Sequence, residues 1–187
     1  NVFAFLQKFN LENEFKLNVE VNHAILAKHS FEHEIAYALS NNILGSIDIN
    51  RGDYLVGWDT DQFPNNVEEL VLPFYYIFKN GGLGNGGLNM DAKVRRQSID
   101  PEDLFFAHIG SMDTCARTLI AVEKMINDGS YDDFLHKRYQ GWDNNKELMN
   151  SDSLENIYQR VKSENINPQP QSGRQEYLEN LINSYIE

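Results

Sequence analysis

Three short segments of this chain alternate apolar and polar residues, and a helical pattern follows each. In Lys16 to Asn22, KLNVEVN, Leu17, Val19 and Val21 share one face, and Asn18, Glu20 and Asn22 share the other. Leu44 to Asn50, LGSIDIN, sets Ile47 and Ile49 against Ser46, Asp48 and Asn50. Leu88 to Asp91, LNMD, sets Leu88 and Met90 against Asn89 and Asp91. Strand and helix in alternation predict an α/β fold with a parallel sheet. Parallel strands covered by helices on both faces read as apolar throughout, and these do not. A barrel accounts for the pattern better than one-sided exposure to solvent. Its aliphatic side chains meet an outer layer of helices, and its polar ones point inward near the C-terminal mouth, where barrel enzymes keep their sites.

The helices have their own signals. Asn1 to Phe9 predicts a helix resting on Val2, Phe3, Phe5 and Leu6. Ser30 predicts a cap for a helix from about Phe31 to Asn41, with Glu32 and Glu34 at its positive end. A helix from about Asn66 to Lys79 contains Pro73, which is expected to kink or shorten it. Asp100-Pro101-Glu102-Asp103 reads as the start of a helix reaching about Ile126. Two more helices are expected near Ser153 to Ser163 and Gly173 to Ile186, the last with a capping box formed by Ser172 and Gln175. The run Gly81 to Gly87 precedes a strand. A phosphate-cradling loop follows one, so the run reads as a helix stop and a tight turn.

The polar faces carry chemistry. Glu20, Asp48 and Asp91 share one parity and come late in their strands. His23 follows Glu20 as E-V-N-H, and Asp59 and Asp61 stand in the intervening loop GWDTDQFP. E-x-x-H and D-x-D are each ordinary surface patterns, and a strand-end Asp often caps the next helix. Together, on three consecutive strand ends, five carboxylates converge, and they cannot all stay ionised without a counter-charge. Divalent cations supply one. Oxygen-rich ligands with a single imidazole favour two ions of Mg²⁺, Mn²⁺ or Co²⁺ over a structural Zn²⁺.

Composition limits the alternatives. The 187 residues are 41% hydrophobic and 12% aromatic, enough for a sizeable core, and the formal charge of −12 disfavours a nucleic-acid partner. No apolar run reaches the length of a membrane span. The one cysteine, Cys115, excludes an internal disulfide, fits a cytoplasmic location and reads as buried filler. His29 and His33 flank a helix start and read as capping or surface groups. His108 and His136 read as structural, and Arg95-Arg96 as a salt-bridging pair rather than an anion site.

The stretches KLNVEVNHAILAKHSFEHE, ILGSIDINRGDYLVGWDTDQFP and GGLNMDAKVRRQSIDPEDLFFAHIGSMD, with the terminal QSGRQEYLENLINSYIE, resemble the C-terminal part of the class II bacterial-type xylose isomerases. The resemblance implies a (β/α)8 TIM barrel, of which this chain supplies the last three β/α units, plus an α-helical C-terminal tail. Residues 1–127 would belong to the barrel, and residues 128–187 would form a tail for subunit contacts. Glu20 would bridge two ions. Asp48 and Asp91 would complete the sugar-binding ion, and His23, Asp59 and Asp61 would hold the catalytic one. The implied reaction interconverts D-xylose and D-xylulose, and also glucose and fructose, by a metal-assisted hydride shift, with no organic cofactor. The ring-opening His-Asp pair, the sugar-contacting Lys and a fourth carboxylate have no match here, so no catalytic residue beyond the metal ligands is expected. An N-terminal half is the expected partner, alongside an aldose substrate and a homo-oligomer, dimer or tetramer. Lys28 departs from the family's frequent Gly. Two other readings compete: an inactive metal-binding or interaction fragment, and a metal-dependent phosphodiesterase of the same barrel superfamily, against which the negative charge and the few histidines argue.

Overall fold

The computed structural model describes residues 1–93, 97–150 and 153–187. They divide into two compact units, Asn1–Lys124 with Tyr185–Glu187, and Met125–Ser184. In the first, β1 (Leu17–Glu20), β2 (Leu44–Ile49) and β3 (Leu88–Met90) form a parallel sheet in the order β1-β2-β3. The register sets Glu20 beside Asp48 and Asp48 beside Asn89. The late polar positions of neighbouring strands therefore share one face and one level.

Helix α1 (Val2–Lys8) precedes the sheet, α2 (Val21–Leu26) and α3 (Phe31–Ser40) join β1 to β2, α4 (Glu68–Lys79) joins β2 to β3, and α5 (Pro101–Asp128) follows. Val19, Ile47 and Ile49 are buried on the aliphatic face, with Ile35 and Ala38 of α3 and Leu70, Val71, Phe74 and Ile77 of α4 also in the core. Each fully buried Ile contributes about 1.5–3 kcal/mol. These side chains hold the sheet and leave its polar face free for chemistry.

The first strand is shorter than its alternation predicts. After Glu20 the chain turns into α2, whose buried Val21, Ala24 and Ile25 fall at helical spacing. Val21 satisfies both periods, which hid the change from the pattern, and His23 thus stands on a helix. Helix α2 ends on Lys28 at φ 65°, with Lys28 N–H bonded to the Ile25 carbonyl and His29 N–H to the Ala24 carbonyl. This is a Schellman end with Lys where Gly fits best. Ser30 then caps α3 as expected, its Oγ accepting from His33 N–H at 3.1 Å. Helix α4 runs through Pro73 instead of stopping there, and Pro73 is buried.

Gly81 and Gly82 close α4 at φ 90° and 86°, the conformation that the glycine run anticipates. A Cβ on Gly86 would stand 1.8 Å from the Gly45 carbonyl oxygen, so the entry to β3 touches the backbone of β2.

The second unit is helical: α6 (Ser130–Asn144), α7 (Lys146–Met149), α8 (Leu154–Ser163) and most of α9 (Gln175–Ile186). The expectations from sequence set no bounds for α6 or α7, although Tyr131, Phe134, Leu135, Tyr139 and Trp142 of α6 stand at helical spacing. Ser153 caps α8 through Asn156 N–H. The capping box at α9 does not form: Ser172 Oγ accepts from Arg174 N–H at 3.1 Å, and Gln175 turns to Glu179.

Candidate metal centre

Glu20 is the last residue of β1, His23 sits in the first turn of α2, Asp48 lies in β2, and Asp91 follows β3 directly. With the loop residue Asp59 they form two trios, Glu20–His23–Asp59 and Glu20–Asp48–Asp91. In each trio one ligand atom per residue lies within 4.8 Å of the others. His23 Nδ1 stands 3.2 Å from Glu20 Oε2, and its Nε2 stands 3.2 Å from Asp59 Oδ2. Glu20 belongs to both trios, as its position between the strand end and the helix start requires. Asn18 and Asn89, on the flanking strands, hold Asp48 through amide hydrogen bonds of 2.7 and 3.0 Å.

Asp61 belongs to neither trio. Its carboxylate is buried, its backbone is at φ 42°, and it pairs with the exposed Lys93 ammonium. It is electrostatically tied to Asp59. The sequence brackets the two aspartates as equivalents, and the structure gives them different surroundings.

Two buried asparagines organise the carboxylates. Asn50 Nδ2 donates to Glu20 Oε1 at 3.0 Å and lies 3.3 Å from Asp91 Oδ2 and 3.4 Å from Asp61 Oδ1. Its Oδ1 accepts from Asn22 N–H at 2.9 Å, which fixes which amide atom faces the acids. Asn22 Nδ2 in turn donates to Asp59 Oδ1. Sequence reasoning placed both residues on the polar faces but gave them no role. Their shared parity with Glu20 and Asp48 was the available signal. Gly52 lies against Asn22, and a Cβ there would meet Asn22 Oδ1 at 1.9 Å.

The loop between β2 and α4 is pinned at both ends of its acidic pair. Arg51 and Gln62 exchange backbone hydrogen bonds of 2.8 and 3.2 Å, and Arg51 Nε donates to the Phe63 carbonyl at 3.0 Å. Pro64 is buried, and the Phe63 ring abuts Gly110 of α5. Trp58 is 57% exposed, so the aromatic frame of the motif is one-sided.

Electrostatics follow from this crowding. Burial pushes the Glu20 carboxyl up, the Asn50 hydrogen bond and His23 pull it down, and the charges of Asp59 and Asp91 raise it again, for a net upward shift. Burial likewise raises Asp61, and its neighbour Asp59 adds to that against the opposing pull of Lys93. For Asp59 burial is outweighed by hydrogen bonds to Asp61, His23 and Asn22, which hold it below the usual range. Crowded carboxylate oxygens with one imidazole fit hard divalent cations.

The remaining histidines lie elsewhere. His29 and His33 are exposed beside Glu34. His108 Nδ1 donates to the Leu104 carbonyl at 2.8 Å. His136 is exposed on α6, so it is no core residue. Arg95 and Arg96 lie outside the described residues. Cys115 is buried, and no helix among the described residues is long and apolar enough to cross a membrane.

The family described as the XylA2 C-terminal domain matches residues 135–186. A xylose isomerase of Cereibacter sphaeroides is 59% identical over 186 residues, covering 99% of this chain and 43% of the relative. Xylose isomerases of a Ruegeria species and of Brucella canis are 58% and 54% identical, over 99% of this chain and 43% of each relative. The chain thus spans well under half the length of these curated relatives.

Proposed function

We propose, for a chain that corresponds to a C-terminal portion of xylose isomerase, that its polar sheet face is the divalent-cation centre of an aldose–ketose isomerase. The observation that carries this reading is Glu20, shared by two ligand trios at the ends of adjoining parallel strands. Glu20, Asp48 and Asp91 would hold one Mg²⁺, Mn²⁺ or Co²⁺ ion, and Glu20, His23, Asp59 and Asp61 a second. When bound, such cations supply Lewis acidity towards the oxygens of an open-chain sugar. The reaction is the exchange of D-xylose with D-xylulose, or glucose with fructose: hydride moves between C2 and C1 while a proton leaves O2 and one joins O1.

The chain's own groups serve this in definite ways. Asn50 keeps Glu20 and Asp91 turned towards a common point, and Asn22 does the same for Asp59. The (β/α)8 barrel belongs to the same reading, with β1 to β3 as its last three strands and residues 128–187 as a tail engaging another subunit in a cytoplasmic dimer or tetramer. Two strand edges unpaired among the described residues and a one-sided polar sheet support it.

A second reading keeps the cations and drops the turnover: alone, the chain binds metal without isomerising sugar. The share of each relative that this chain covers favours it for the isolated polypeptide. A xylose-to-xylulose assay separates the two, run on the chain with Mg²⁺ or Mn²⁺, alone and with the N-terminal portion of a relative. Turnover only in the complemented sample, abolished by EDTA, is expected. A complemented sample that binds Mn²⁺ yet never turns over would sink the isomerase reading.

A further inference from the structure

A second cluster of metal-ligating side chains lies outside the centre described above. His29, His33 and Glu34 bring one ligand atom each within 4.8 Å of the others. Glu34 Oε1 is the shared acceptor, 2.5 Å from His29 Nδ1 and 3.2 Å from His33 Nδ1. We propose that these three residues are a binding site for a borderline divalent transition-metal ion such as Zn²⁺, Ni²⁺ or Cu²⁺, distinct from the oxygen-rich centre.

Local backbone structure organises the trio from both sides. The Schellman end of α2 fixes His29 through its N–H bond to Ala24, and the Ser30 cap fixes His33 through its own N–H. His29 is therefore the residue just before the cap of α3, with His33 and Glu34 in the first turn and its end. Where a hydrophobic staple would close such a helix start, an imidazole meets a carboxylate. The His33 ring lies 4.5 Å from the His29 ring and stacks on Tyr37 one turn on, at 6.4 Å and 13°. The neighbouring Lys28 ammonium points to the Tyr54 carbonyl, 3.5 Å away, so no cation is aimed into the trio by that residue.

Two imidazoles and a carboxylate are the donor set of a three-ligand zinc site, with a position left for water. Imidazole donors favour zinc, nickel and copper, whereas the carboxylate-rich centre favours magnesium and manganese. The chain would thus sort cations by softness between two places on the same face of sequence, Glu20 to Glu34. Occupancy of the softer site ties the end of α2, which carries His23, to the start of α3. None of this depends on the isomerase reading, because the ligands and their supports are separate.

The test is titration of the chain with Zn²⁺ in excess Mg²⁺, followed by calorimetry, with Co²⁺ absorption as a second readout of coordination. It is run on the native sequence, on Glu20→Gln/Asp48→Asn, and on His29→Gln/His33→Gln. All the replaced histidines are exposed, so the fold is expected to persist, and circular dichroism checks it. The expected result is one Zn²⁺ retained in the Glu20→Gln/Asp48→Asn chain and weakened roughly tenfold or more in the His29→Gln/His33→Gln chain. Zn²⁺ binding that survives the histidine changes, or that vanishes with Glu20 and Asp48, overturns the proposal.

Discussion

At the scale of single residues, two asparagines order the acidic cluster as much as the acids themselves do. Asn50 has two amide protons and three carboxylates within reach, so it sets the direction of Glu20 and Asp91 without carrying a charge. Asn50→Ala is expected to weaken Mn²⁺ binding about 10–100-fold, as loss of a ligand-orienting partner does elsewhere, with the circular dichroism spectrum unchanged. Unaltered Mn²⁺ affinity by calorimetry would remove Asn50 from that role. Lys28 offers a test of stability alone. Its left-handed backbone at φ 65° crowds a Cβ, at a cost of about 1–2 kcal/mol. Lys28→Gly is therefore expected to raise the unfolding free energy by about 1 kcal/mol in a denaturant titration, and a loss of stability would contradict the Schellman assignment. Cys115 supplies the pH dependence. Burial pushes its thiol up to about 11, whereas an unfolded cysteine titrates near 8.5. The folded chain binds this proton more tightly, so the contribution to stability is complete below about pH 8.5 and is lost as pH rises towards 11. Labelling by a thiol reagent at pH 8 should be slow in the native chain and fast in denaturant.

At the scale of elements, what the sequence revealed was periodicity and what it hid was change of period. β2 and β3 were legible because Ile47, Ile49 and Met90 alternate cleanly with the acids. The end of β1 was not, because Val21 fits both a strand and the helix that replaces it. Helices α6 and α7 were harder to bound: the stripe of Tyr131, Phe134, Leu135, Tyr139 and Trp142 on α6 is diluted by polar residues, and α7 is one turn long. The parity of Glu20, Asp48 and Asp91 foretold their common face. Nothing in D-x-D distinguished Asp59 from Asp61, since the difference comes from Lys93 and Asn22, which only tertiary structure brings near. Sheet assembly has its own test in Gly86. A side chain there collides with the Gly45 carbonyl, a backbone atom that cannot rotate away. Gly86→Ala is expected to destabilise the chain by ~3 kcal/mol, on the scale of overpacking, and to broaden thermal unfolding. A neutral substitution would show that β2 and β3 do not approach as described.

At the scale of the whole molecule, uncovered apolar surface stands beside the cluster of Glu20, His23, Asp48, Asp59 and Asp91. Among the described residues β1 and β3 each leave an edge unpaired, and Phe105, Ile109 and Met112, at helical spacing on α5, are all more than half exposed. The isolated chain is expected to self-associate, which light scattering after size exclusion reads as a mass above 21.6 kDa. A monomer at high concentration would argue that these surfaces need no cover. Whatever the oligomeric state, the proposed role of Glu20 is to serve two cations with one carboxylate. Titration with Mn²⁺, followed by electron paramagnetic resonance and calorimetry, tests it most directly. The account predicts two Mn²⁺ per chain, with Asp91→Asn weakening one, His23→Gln weakening the other, and Glu20→Gln weakening both. Glu20→Gln that leaves either site at its original affinity would contradict it.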